Sequence, residues 1–247
     1  MGIAIGALQF LMEEGIARPW AGQVLTLGRQ LTAVTASAST RLAREAGFAA
    51  RPWGDARDDN DVLSDVQLFA GLGFDRLLAL DANLYEKPDI VHDLNRAEIP
   101  ENLSARFDLV FDGGTLEHVF DVASALRAVC RFTKPGGRVV HLSPLSNCVD
   151  HGFYSFSPIL FRDFYAANNW IIRRLATARF EHDPASDPWE IRDYQPDDFA
   201  RLGALATGTY FLLTCVESKI NSTCEAVPQQ SYYTQVWDDA LDLRATQ

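Results

Sequence analysis

The sequence is poor in cysteine, in positive charge and in long apolar runs. Its four cysteines, Cys130, Cys148, Cys215 and Cys224, show no C-x-x-C spacing. That excludes a disulfide framework and a thiolate zinc site, and it fits a reducing, cytoplasmic setting. Lys and Arg number 22 against 33 Asp and Glu, a formal net charge of -11. With no basic stripe to offset that charge, nucleic acid is excluded as the expected substrate. The apolar run from Ile3 to Met12 is too short to span a bilayer, lacks a basic flank and is followed by Glu13-Glu14. It is expected to be neither signal nor membrane anchor. There is no internal repeat, no low-complexity tract and no G-x-G-x-x-G. Asn102-Leu103-Ser104 and Asn221-Ser222-Thr223 match the glycosylation pattern, but without a secretory signal they read as chance matches.

What is present is material for one sizeable core: 247 residues, 47% hydrophobic and 11% aromatic. The stretch that organises it runs from Phe107 to Pro144. Phe107 to Phe111 is a short apolar run with little alternation, as a strand buried on both faces requires. Asp112-Gly113-Gly114-Thr115 then offers a carboxylate and two residues without Cβ, so a ligand could approach the backbone at the strand's carboxyl end. Val119, Val122, Ala123, Leu126, Val129 and Cys130 follow at core-facing helical spacing. Lys134-Pro135-Gly136-Gly137 reads as a turn and Val139 to Leu142 as the next strand. This is one right-handed crossover unit, and such sheets bind ligands at the carboxyl ends of their strands.

FDLVFDGGTLEHV and FTKPGGRVVHLSP, in this order and at this spacing, resemble the fourth and fifth strands of class I S-adenosylmethionine-dependent methyltransferases. The resemblance covers about Gln23 to Glu217. It implies a doubly wound α/β sheet of seven strands, mostly parallel with one reversed, and methyl transfer to a small-molecule acceptor through a hydroxyl or an amine. By it, residues 1–22 are an N-terminal helix packing on the core, 23–217 the methyltransferase-like domain and 218–247 a tail.

Taken in order, Ile5 to Ile16 has the spacing of a packing helix, and Gln23 to Leu27 is a compact strand running into Gly28-Arg29-Gln30. The family's turn here is glycine-rich, because the backbone passes close under the cofactor. Only Gly28 stands for that motif, and Arg29 and Gln30 either supply polar contacts instead or are solvated turn residues. Ala33 to Ala46 reads as a helix closed by Gly47, Arg51 to Asp65 as a surface insertion, and Val66 to Gly73 as a short helix. Arg76 to Leu80 is a strand ending in Asp81-Ala82-Asn83. The resemblance makes Asp81 the acceptor of the ribose hydroxyls, with Ala82 beside it; the local alternative is a turn starter. Asp89 to His92 is a brief third strand, after which Asp93 and Leu94 match the family's adenine contacts. His92 reads as a satisfied sheet residue. With Gly28, Arg29, Asp112, Gly113 and Gly114, these complete the expected cofactor set.

His118 follows the fourth strand beside the expected methyl site, so it is a candidate general base; the local alternative is that Glu117 and His118 only cap or brace the helix start. His141 and His151 are the other imidazoles considered. His151, Phe153, Tyr154 and Phe156 form a loop that either walls a substrate pocket or packs the helix Pro158 to Asn168 on the sheet. Ile171 to Phe180 and Thr209 to Glu217 read as strands separated by a polar segment. No metal is expected, since no carboxylate cluster of the catechol-type relatives stands out. Homo-oligomerisation stays open. Two other classes compete: a binding protein on the same fold without methyl transfer, and a nicotinamide-dependent dehydrogenase with Gly28 and Asp81 as its remnants.

Overall fold

The computed structural model describes residues 2–54, 61–96, 98–195, 207–234 and 236–237. Its frame is a sheet of eight strands. In chain order they are β1 (Gln23–Leu27), β2 (Arg76–Asp81), β3 (Ile90–Val91), β4 (Phe107–Asp112), β5 (Thr133–Ser146), β6 (Ile171–Phe180), β7 (Glu190–Asp193) and β8 (Thr209–Glu217). The spatial order is β3-β2-β1-β4-β5-β8-β6-β7. β3 through β5 are parallel, whereas β8 runs antiparallel to both β5 and β6. The expected class is therefore present, with one strand more than expected. The addition is β7, a four-residue edge strand antiparallel to β6. Its Glu-Ile-Arg-Asp sequence offers a single apolar residue, so it lies hidden in the polar segment between β6 and β8.

Helices cover both faces. On one lie α1 (Ile5–Ala17), α2 (Ala36–Ala46) and α3 (Asp65–Leu72); on the other, α4 (Val122–Phe132) and α5 (Pro158–Ala167). Alternation along β4 serves both cores, Leu109 and Phe111 entering the first and Phe107 and Val110 the second. Capping fixes the helix starts. α2 begins three residues later than periodicity suggests because Thr35 Oγ1 accepts from Ala38 N–H at 3.2 Å. Asp121 likewise caps α4 by accepting from Ser124 N–H at 3.0 Å, so Leu116–His118 forms a separate 3₁₀ turn and Ala123 is exposed. The Lys134 to Gly137 turn is drawn into the long, irregular start of β5, with Gly136 at φ 76.

α1 is fastened beneath the sheet by Arg138 of β5. Its guanidinium donates to the carbonyls of Glu14 and Pro19, both at 3.1 Å, and lies 3.3 Å over the Trp20 ring. Burial lowers this guanidinium to about 10, where it still carries its proton at neutral pH.

Candidate active site

The carboxyl ends of β1, β2 and β4 converge on two adjoining cavities. One, of 380 Å³, is lined by residues including Gly28, Arg29, Gln30, Asp81, Gly114 and His118. The other, of 250 Å³, is lined by residues including Asp81, Ala82, Asp93, Leu94 and His118. Gly28, Asp81, Thr115 and His118 border both. This is the crevice at which a parallel sheet presents its ligand.

Gly28 has φ +73, and its N–H donates to Leu80 carbonyl at 2.7 Å, tying the β1 turn to β2. A Cβ there would meet nothing nearer than Thr115 Oγ1 at 3.5 Å, so conformation rather than space calls for glycine. Gly28→Ala is expected to lower stability by about 1–2 kcal/mol, measured as a shifted denaturant midpoint at unchanged slope.

The neighbouring residues do different work from that expected of them. Arg29, on the cavity wall, donates to Lys87 carbonyl and to Asp89 Oδ2, both at 3.1 Å. Gln30 is buried and donates through Nε2 to Leu27 carbonyl at 2.8 Å and to Gly28 carbonyl at 3.2 Å. Its Oε1 lies 2.0 Å from where a Gly113 Cβ would stand. Gly113 therefore makes room for Gln30 as well as bordering the cavity.

Asp112 is fully buried and does not border either cavity. Oδ1 accepts from Thr115 N–H at 2.9 Å and from Leu116 N–H at 3.3 Å. Oδ2 lies 2.9 Å from His141 Nδ1, and His141 Nε2 lies 2.7 Å from the Tyr165 hydroxyl. A carboxylate only accepts, so Nδ1 carries the imidazole proton and Nε2 accepts from Tyr165. Phe161 stacks on the imidazole at 4.6 Å. Burial holds the Tyr165 hydroxyl well above its ordinary range. His141 is thus a fully buried framework residue. The network shapes the turn after β4, and Thr115 Oγ1 closes it onto Leu27 carbonyl at 2.7 Å.

Asp81 Oδ1 accepts from Asn83 N–H at 3.2 Å, and the carboxylate borders both cavities. Asp93 Oδ1 accepts from Asn95 N–H and Nδ2 at 2.9 Å, and these bonds lower its carboxyl below the usual range. Leu94 is buried beside it.

The site's third part lies under the mouth. Glu117 is fully buried, and neither carboxylate oxygen has a hydrogen-bond partner. Burial first, and the Asp112 charge second, push its carboxyl up to about 8. Its Oε1 lies 3.9 Å from His118 Nε2 and 3.5 Å from His151 Nε2. Burial lowers both imidazoles, so each is neutral at pH 7. The loop bearing His151 is pinned by Phe153 N–H donating to Glu117 carbonyl at 2.8 Å. It turns through Asn147 and Asp150 at φ 60 and 61, conformations that non-glycine residues hold only at a cost. Above it Phe120 and Phe153, both exposed, meet edge to face at 5.6 Å.

Residues 75–141 match the family model described as a methyltransferase domain. The matched stretch is about a quarter of the chain. It marks the protein as an enzyme of the methyltransferase type, with S-adenosylmethionine as its cofactor. No curated protein matches the sequence. Among solved structures, the methyltransferase chain is similar to an S-adenosylmethionine-dependent methyltransferase from Thermotoga maritima at 13% identity. That match covers 88% of this chain and 90% of the other, with a TM-score of 0.41. A second, from Archaeoglobus fulgidus, is 12% identical over 87% of this chain and 95% of the other, with a TM-score of 0.45.

The donor set fits the cofactor: carboxylates at successive strand ends for hydroxyl and amino hydrogens, a buried leucine for an aromatic base, and a turn without Cβ at the junction. Glu117 was legible only as a helix brace, because what marks it is the isolation of its oxygens, a tertiary property.

Proposed function

We propose that this methyltransferase transfers its methyl group to a small-molecule hydroxyl or amine, with the cofactor lying across the two adjoining cavities. The observation that carries the reading is the position of Asp81 on the shared border. Asp81 would hold the ribose hydroxyls, Asp93 and Leu94 the adenine, and Gly28 and Gly114 the methionine end. When bound, the cofactor supplies a methyl carbon already activated by sulfonium charge; the acceptor forms the new bond as the carbon–sulfur bond breaks, leaving S-adenosylhomocysteine. The protein's part is then alignment and exclusion of water. Neutral His118, at the cavity wall, is placed to accept the acceptor's proton, with His151 beside it at 5.4 Å between ring centres. Phe120, Phe153 and Tyr154 would wall the acceptor. The acidic balance of the chain supports a small molecule over nucleic acid, and its four free cysteines support a cytoplasmic setting. Among the described residues no helix is long and apolar enough to cross a membrane.

Calorimetry on the purified chain is expected to show S-adenosylmethionine or S-adenosylhomocysteine binding, with nicotinamide dinucleotides not binding. The single-glycine turn offers few backbone contacts, so a dissociation constant of roughly tens of micromolar is expected. Failure of both sulfur ligands to bind at millimolar concentration would overturn the reading.

A further inference from the structure

We propose that Glu117, His118 and His151 form a binding site for a divalent ion of the first transition row. One ligand atom from each lies within 4.8 Å of those of the other two. Glu117 Oε1 and Oε2 and His151 Nε2 are buried, and none has a hydrogen-bond partner. A buried carboxylate left without partners costs several kcal/mol, so such groups hold a proton, are paired or coordinate a metal. Here Glu117 Oε1 and His151 Nε2, both unpartnered, stand 3.5 Å apart, and an ion between them satisfies both.

The distances suit this occupant. An ion about 2.0–2.2 Å from nitrogen and oxygen donors places those donors roughly 3 to 3.5 Å apart. Glu117 Oε1 is already 3.5 Å from His151 Nε2 and 3.9 Å from His118 Nε2. The third pair, between the two imidazoles, lies within 4.8 Å, so closing the set needs the histidines to shift by up to about 1–2 Å. The histidine side chains are 51% and 37% exposed, so they have room to move, while Glu117 is 0% exposed and fixed. Gly152 has no Cβ to collide with Glu117 carbonyl, which would stand 2.8 Å away, so the loop lies directly on the Glu117 backbone and the base of its side chain. Two imidazoles and one carboxylate are the donors of zinc, iron and manganese centres; magnesium and calcium favour all-oxygen sets.

Three protein ligands leave positions open, and His118 borders both cavities. An acceptor hydroxyl bound at an open position would lose its proton to solvent more readily, and the resulting oxygen would attack the methyl carbon as the carbon–sulfur bond breaks. In this role the imidazoles are ligands and no longer bases. The role of the ion rests on the methyl-transfer reading above; the site itself does not.

The test is a titration of the chelator-treated full chain with Zn²⁺ against a chromogenic chelator, and with Co²⁺ followed by visible absorption. One ion per chain is expected, undisplaced by millimolar Mg²⁺. His118→Ala, His151→Ala and Glu117→Gln should each weaken binding by at least about ten- to a hundredfold, the loss typical of removing even a group that only supports a ligand. His151→Ala, on a partly exposed loop, keeps the test decisive if Glu117→Gln fails to fold. Absence of one-to-one uptake, or uptake unchanged in the histidine variants, overturns the site. S-adenosylmethionine binding measured on the same samples separates the two ideas: cofactor bound without metal removes only the ion site, and metal bound without cofactor removes only the methyl-transfer reading.

Discussion

Replacing Asp112 with alanine is expected to lower the stability of the folded chain by about 3–5 kcal/mol, a large share of what holds an ordinary domain together. The carboxylate accepts from Thr115 and Leu116 N–H on one oxygen and from His141 Nδ1 on the other, with no exposure to solvent. Removing it leaves a buried imidazole N–H and two backbone donors unpaired, each worth about 1–3 kcal/mol when it cannot relax toward water. Tyr165→Phe, which deletes only the outer hydroxyl at 2.7 Å, should cost about 1 kcal/mol. Denaturant titration of both variants reads the difference directly. A loss below 1 kcal/mol for Asp112→Ala would mean that the turn after β4 is held by other contacts, Thr115 to Leu27 foremost.

Asp81→Ala should raise the dissociation constant for S-adenosylhomocysteine roughly ten- to a hundredfold, because two charge-assisted hydrogen bonds worth about 1.5–3 kcal/mol in all are removed. The same carboxylate accepts from Asn83 N–H at 3.2 Å. A residue that only starts the turn would lower the melting temperature when replaced and leave affinity alone. Both quantities belong on the same variant. A lowered melting temperature with unchanged affinity would defeat the ribose assignment, and with it the placement of the cofactor over β2.

Strand positions were legible wherever an unbroken apolar run meets a terminator. Ile171–Phe180 and Thr209–Glu217 are found at the expected bounds, and β4 ends at Asp112, one residue beyond expectation. β7 was hidden because an edge strand needs only one buried side chain. The insertion expected from Arg51 to Asp65 falls partly on 55–60, outside the described residues. For the site, residue type at a strand end was a sound guide to what borders the cavities: Gly28, Asp81, Ala82, Asp93, Leu94, Gly113, Gly114 and His118 all do. It did not reveal the partners of Asp112, His141 on the adjacent strand and through it Tyr165 on α5, contacts that no local pattern records. It also missed the tie between Glu117 and His151, whose signal is a pair of buried oxygens without partners.

The position of β8 also governs how the chain can fold. Among the described residues it is the last strand in the sequence, yet it lies between β5 and β6. During synthesis β1 to β5 can assemble as they emerge, whereas the paired β6 and β7 cannot join that sheet until Thr209–Glu217 is available. Until then both β5 and β6 expose unpaired edges of the kind that recruit other chains. A nascent chain halted before β8 is therefore most at risk of aggregation, and closure of the sheet has to await this distant insertion.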